Sequence, residues 1–183
     1  SMTRALYSLV LWLLQPLLRM RLRLRARAEP LYGEREGERF GHYGDVPSAS
    51  VALAGSTDFY VWVHAVSLGE TRAAQALVNR LRDSLPGMRL LLTHGTATGR
   101  AMGQALLQPC DVQVWQPWDT PGAVKRFLAH FQPRVGLLVE TEVWPNMVAA
   151  CAQARMPLCL VNARFSAKSL RQSQRLAWLA RPA

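Results

Sequence analysis

The residues able to do chemistry fall in small groups, each placed just after an apolar run. They are Ser67 and Glu70; His94, Thr96 and Thr98; Asp119; Glu140 and Glu142; and Asn162 and Arg164. Glu70 ends the stretch Tyr60-Val-Trp-Val-His-Ala-Val-Ser-Leu-Gly-Glu70. A carboxylate on such a loop can take a proton from a hydroxyl as that hydroxyl attacks, and Gly69 would let a substrate approach the backbone. The same residues also fit a capping box, with Ser67 capping a helix and Glu70 reaching back to the Ser67 amide. Both readings stand, and one residue can serve in both. Glu140 and Glu142 follow the fully apolar run Val135-Gly-Leu-Leu-Val139. A carboxylate ending such a run is costly to bury, so it needs a partner or a task. Thr96 and Thr98 can cap a helix or hold a ligand, and Asn162 can hold a turn. His94 reads as a turn or packing histidine before it reads as a base.

What is missing narrows the chemistry. No G-x-G-x-x-G follows the first apolar run, so a nicotinamide site has no support. P-loop, H-E-x-x-H, paired C-x-x-C and G-x-S-x-G patterns are absent too. Cys110, Cys151 and Cys159 show no metal or disulfide spacing, which points to core packing in a reducing compartment.

The elements that must position these groups alternate regularly. The run from Tyr60 is a buried strand, and a helix over 71–85 places Ala74, Leu77, Val78 and Leu81 on one face. Strands are predicted over 88–93, 111–116, 135–139 and 158–161. Helices follow over 100–107, from Thr120-Pro121 to about residue 131, over 146–154 and over 167–180. Five strands alternating with helices predict an α/β domain with a doubly wound, Rossmann-like parallel sheet. In such a sheet the carboxyl ends of the strands share one edge, where ligands bind, and the polar groups above converge there. Residues 34–40 read as a loop or short helix, and 47–57 as a linker of mostly small residues.

The chain has 183 residues and a net charge of +10, half of its residues being hydrophobic. Disorder is therefore excluded as a description of the whole. Residues 1–27 hold six arginines and no acid, leaving +4 for the remainder. Residues 5–18 are apolar almost all round, shorter than the ~20 residues a bilayer-spanning helix needs. Arg19, Arg21, Arg23, Arg25 and Arg27 follow. An apolar segment carrying Trp12 and running into dense arginine suits a helix lying in a membrane interface, with Trp12, Arg19, Arg21 and Arg23 as contacts to anionic head groups. The other reading is a helix packed on the domain with a solvated basic end. Nucleic acid is disfavoured, since no aromatics interleave with the arginines. The domain plan is a membrane-associated helix over 1–30 and a Rossmann-like domain over 31–183.

At these residues the chain resembles the bacterial 3-deoxy-D-manno-octulosonic acid (Kdo) transferases. The motifs are His64-Ala-Val-Ser-Leu-Gly-Glu70, the threonine-rich turn 93–99, Glu140-Thr-Glu-Val-Trp-Pro-Asn146, Asn162-Ala-Arg-Phe-Ser166 and Gly37-Glu-Arg-Phe-Gly41, with Gln15-Pro16 before them. His94-Gly95, Trp118 and Phe165 depart from the usual pattern. The resemblance implies the N-terminal, acceptor-binding half of a GT-B glycosyltransferase, with a C-terminal donor-binding domain absent from this chain. It implies inverting transfer of Kdo from CMP-Kdo to a lipid A precursor (lipid IVA) in lipopolysaccharide synthesis, at the cytoplasmic side of the inner membrane. Glu70 would be the general base and Glu140 would support the transition state. Ser67, Gly69, Thr96, Thr98, Glu142, Asn162 and Arg164 would bind acceptor. No metal and no cofactor beyond the donor are expected, and the isolated fragment would be inactive. A non-catalytic membrane-surface binding module is the alternative.

Overall fold

The computed structural model describes residues 2–139 and 144–161. Helix α1 (Met2–Ala28) is followed by two short 3-10 turns, Pro30–Gly33 and Glu36–Phe40, and by one helical turn, α2 (Ala49–Ala52). Then the alternation begins: β1 (Phe59–Ala65), α3 (Leu68–Ser84), β2 (Met88–His94), α4 (Ala97–Gly103) and β3 (Val112–Trp115). It continues through α5 (Pro121–Phe131), β4 (Val135–Val139), α6 (Pro145–Gln153) and β5 (Leu158–Val161). All strand pairings are parallel, in the order β3-β2-β1-β4-β5. This is the doubly wound sheet expected, with β1 at its centre.

Alternation along β1 explains both layers. Val61 and Val63 pack with Ala74, Leu77, Val78 and Leu81 of α3 on one face. Tyr60 and Trp62 pack on the other, with Val124, Phe127 and Phe131 of α5 and Met147 of α6. Every residue of β1 is buried, as a strand covered on both faces requires. Gly136 lies opposite Trp62 in the β1–β4 register. A Cβ there would stand 2.7 Å from the indole, so the glycine makes room for the largest core side chain.

The elements start where local chemistry says they should. Ser67 caps α3, Thr96 caps α4, and Thr120 caps α5 with Pro121 in the first turn. Helix α3 begins three residues ahead of its predicted start at 71. The stretch 47–57 is not a plain linker, since it carries α2 and buries Ala49. The predicted helix over 167–180 lies outside the described residues.

Helix α1 has two faces that the sequence could not separate. Tyr7, Ser8, Leu11, Gln15, Leu18, Leu22 and Ala26 form a half-buried to buried stripe at helical spacing. Met2, Leu6, Leu9, Leu13, Leu17, Met20 and Leu24 form a second stripe, apolar and exposed. Packing on the domain and an outward apolar face therefore coexist on one helix. Among the described residues, no helix is long and apolar enough to cross a membrane.

Candidate active site

Val66 is the hub of the carboxyl edge. Its carbonyl accepts from the Gly95 amide at 3.3 Å, the Thr96 amide at 3.1 Å and the Thr96 hydroxyl at 2.9 Å. Its own N–H donates to Glu70 Oε2 at 2.6 Å. The loops after β1 and β2 are thereby fastened to each other, and the Glu70 carboxylate is fastened to both. The predicted capping box is half right. Ser67 Oγ accepts the Glu70 amide at 3.3 Å, but Glu70 reaches the Val66 amide and not that of Ser67. Because Val66 is the residue that leaves the strand, its N–H has no ladder partner, and the carboxylate takes it.

Two glycines shape this edge. Around Gly69 no atom of the described residues lies within 4 Å of where a Cβ would stand, so among them the turn before Glu70 is open. Gly99 does the opposite, since a Cβ there would come within 2.8 Å of the Val66 carbonyl and 3.2 Å of Ser67. Glycine at 99 lets the first turn of α4 close against the β1 loop. Thr96 Oγ1 accepts the Gly99 amide at 3.1 Å and stands 3.5 Å from the Thr98 hydroxyl. Ser67, Gly69, Glu70, Thr96 and Thr98 thus lie on the two neighbouring loops that Val66 ties together, at the crevice a doubly wound sheet forms outside its strand ends. A carboxylate held at such an edge can take a proton from a hydroxyl. Glu140 and Glu142 follow β4, whose Val139 pairs with Ala65 of β1; the two glutamates lie outside the described residues, as do Asn162 and Arg164.

Two other polar residues at strand ends do not join the crevice. His94 is completely buried, its Nδ1 bonded to the Ala65 carbonyl at 3.0 Å and its Nε2 crowded against Gly103. Burial is the main cause that lowers its pKa to about 4. It is a packing histidine. Asp119 is also buried, and its two oxygens accept the Asn146 amide at 3.1 Å and the Met147 amide at 2.8 Å. The Tyr7 hydroxyl donates to it at 3.0 Å, and burial with the Asp119 charge pushes the tyrosine pKa well up. Asp119 therefore caps α6 and anchors α1. Among the described residues, no cluster of His, Cys, Asp and Glu could hold a metal ion.

A buried charge cluster behind the crevice escaped the sequence reading. Glu38 is 2 % exposed, takes the Trp115 amide at 2.7 Å and meets Arg100 at 3.3 Å. Burial pushes its pKa up, against the pull of these donors. Arg39 lies over Trp115 at 4.4 Å, donates to the Gly95 carbonyl at 3.3 Å, and has its pKa lowered to about 10 by burial. The cluster holds the β2–α4 loop in place from behind. Its one sequence signal was a charged pair between Gly37 and Gly41.

Helix α1 runs along this same edge. Tyr7 and Ser8 meet Asp119 and Asn146 near one end, and Leu22 packs with Tyr32, Ala97 and Trp115 near the other.

Comparison with known proteins agrees with this geometry. The family model described as 3-deoxy-D-manno-octulosonic-acid transferase (Kdo transferase) matches residues 34–183. A 3-deoxy-D-manno-octulosonic acid transferase of Bordetella pertussis is 47% identical over 184 residues, covering 97% of this chain and 40% of the relative. One of Haemophilus influenzae is 31% identical, covering 92% of this chain and 38% of the relative. A probable mitochondrial one of Arabidopsis thaliana is 34% identical, with 91% and 36% covered. The chain thus spans about two fifths of these relatives' length. With a doubly wound sheet, a carboxylate at its carboxyl edge and this likeness, the chain belongs to the 3-deoxy-D-manno-octulosonic acid transferase family.

Proposed function

We propose that residues 31–183 form the acceptor-binding half of an inverting glycosyltransferase that moves Kdo from CMP-Kdo to a lipid A precursor. A further α/β domain would bind the donor, as the share of the relatives left uncovered suggests. The observation that carries this reading is Glu70, fixed by the 2.6 Å bond from Val66 N–H beside the open turn at Gly69. In the reaction an acceptor hydroxyl gives its proton to the Glu70 carboxylate. The oxygen forms a bond to the anomeric carbon of Kdo from the face opposite the leaving group. The bond from that carbon to the phosphate oxygen breaks, and CMP leaves with the electron pair. One displacement inverts the centre, and a single carboxylate base suffices for the proton. Ser67, Thr96 and Thr98 orient the acceptor by hydrogen bonds, and Gly69 admits it. Glu142, Asn162 and Arg164 also bind acceptor in this reading, and Glu140 supports the transition state.

The membrane part of the reading rests on α1. Its exposed stripe from Met2 to Leu24 has Arg21 and Arg23 on its flanks. Apolar burial in the interface and roughly 1 kcal/mol per arginine near anionic lipid would hold the enzyme on the cytoplasmic side of the inner membrane.

The test is Glu70→Gln in a protein that also carries the donor-binding half. Glutamine keeps an acceptor for the Val66 amide but takes no proton at neutral pH. Transfer should fall by about 10²–10⁴-fold, with acceptor binding and melting temperature kept. Parental turnover would leave Glu70 as a helix cap only.

A further inference from the structure

Two cavities meet along α1, and their chemistries are complementary. The smaller, of about 380 Å³, lies between α1 and the start of α5, with Trp12, Arg19, Phe40, His42 and Arg126 on its walls. The larger, of about 880 Å³, is a groove between α1, α5 and α6 lined by Val124, Leu128, Ala149 and Ala150, with Arg4, Lys125, Asn146 and Gln153 also on its walls. Ser8 and Pro121 border both, so the two adjoin.

The smaller cavity is built for an anion. Phe40 fixes both guanidiniums. Arg19 stacks on its ring at 4.2 Å, and Arg126 donates to its carbonyl from Nε at 3.0 Å and Nη2 at 2.7 Å. The remaining nitrogen, Arg126 Nη1, stands 3.0 Å from where a Cβ of Gly122 would be. Glycine at 122 therefore leaves that end of the guanidinium uncovered. Neither arginine forms a salt bridge among the described residues. Two guanidiniums that line one cavity without an acid partner gain from a shared anion, and their planar forks suit a phosphate. Beside this charge runs a groove whose walls are mostly apolar, along the helix that carries the exposed apolar stripe.

We propose that the two cavities form one site for an anionic glycerophospholipid of the bilayer, its phosphate between Arg19 and Arg126 and an acyl chain in the α1–α5–α6 groove. A discrete lipid would then seat α1, beyond the diffuse attraction of the arginine run. The choice of a bilayer lipid rests on the membrane reading given above; the charge and the groove do not.

Calorimetric titration of the 183-residue chain with dihexanoylphosphatidylglycerol, below its micelle concentration, tests the site. Saturable binding at one site per chain is expected, with the zwitterionic dihexanoylphosphatidylcholine and inorganic phosphate each weaker by about tenfold or more. R19Q/R126Q should weaken the phosphatidylglycerol by about tenfold or more, while R72Q/R80Q, with equal loss of charge at exposed positions of α3 outside the cavity, should change it by about twofold at most. Ala149→Phe, which fills the groove, should weaken the lipid and leave phosphate unchanged. Equal losses in the two arginine pairs would overturn the proposal, as would inorganic phosphate binding as tightly as the lipid. Should R19Q/R126Q fail to fold, Arg126→Lys with Ala149→Phe and the ligand comparison in the parent chain still decide. Turnover is not read, so lipid binding without transfer, or transfer without lipid binding, separates this site from the proposed reaction.

Discussion

Mild acid should destabilise this domain through two buried histidines, His64 and His94, each with no exposed surface. Trp62 Nε1 donates to the Thr93 hydroxyl at 2.8 Å, and that hydroxyl lies 2.6 Å from His64 Nδ1. The assignment that satisfies all three has Thr93 donating its proton to a neutral imidazole, whose ring meets Trp144 edge-on at 4.6 Å. Burial, and secondarily the nearby His94, lowers the His64 pKa from 6.5 to about 3; burial first of all lowers that of His94 to about 4. Below pH 6.5 the unfolded chain binds a proton at each site and the native chain does not. Stability therefore rises with pH in this window and falls on acidification, by about 1.4 kcal/mol per pH unit for each histidine. From pH 6.5 to 5 the pair contributes a loss of up to about 4 kcal/mol, a large share of the roughly 5–15 kcal/mol a domain has. Glu38 acts in the opposite sense. Its raised pKa lets the native state take up a proton first, so the histidine figure is a ceiling. Urea unfolding at pH 7.5, 6 and 5, followed by tryptophan fluorescence, measures the slope. His94→Gln keeps an N–H for the Ala65 carbonyl and should remove about half of it. Equal stability at pH 7.5 and 5, or an unchanged slope in His94→Gln, would refute the reasoning.

Two substitutions test the scaffold around the crevice. Ser67→Ala removes the cap of α3 and should cost about 1 kcal/mol in urea unfolding. Gly103→Ala would set a methyl group against His94 Nε2 and within 2.8 Å of Gln113 Nε2; a loss of about 1–3 kcal/mol is expected from the overpacking, read as a lowered urea midpoint.

The sheet was legible because its strands obey one local rule. Val135–Val139 and Leu158–Val161 were bounded to the residue, since a short apolar run closed by polar or proline-containing sequence has few other fates. The start of α5 was legible for a similar reason, as Thr120-Pro121 joins a cap to a residue suited to the first turn. The site was harder. Ser67, Glu70, His94 and Asp119 share one local signature, a polar group at the end of an apolar run. Only tertiary contact separates them, with Gly103 closing over His94 and Asn146 and Met147 using up Asp119. The charged pair Glu38-Arg39 looked like loop because its partners are remote. Arg100 lies 62 residues on and the Trp115 amide 77. No local pattern reports such burial.

Helix α1 carries both a face packed on the domain and an outward apolar stripe, so its two readings are compatible. An apolar helix that lies flat on a bilayer must give one side to lipid, but it positions an enzyme only if the other side is fixed to the fold. Here the fixing contacts are specific. The Tyr7 hydroxyl and Asn146 Nδ2 bond at one end of the sheet edge, and Leu22 packs with Trp115 at the other. A rigid strut along the carboxyl edge carries the outward stripe, so seating that stripe on a surface fixes the height of the edge, and of Glu70, above it. For the proposed acceptor, with acyl chains in the bilayer, that height would decide which hydroxyl can reach the proposed base. The arrangement makes the anchor part of the proposed acceptor site, which accounts for polar, directional contacts on a face where apolar packing alone would have held the helix.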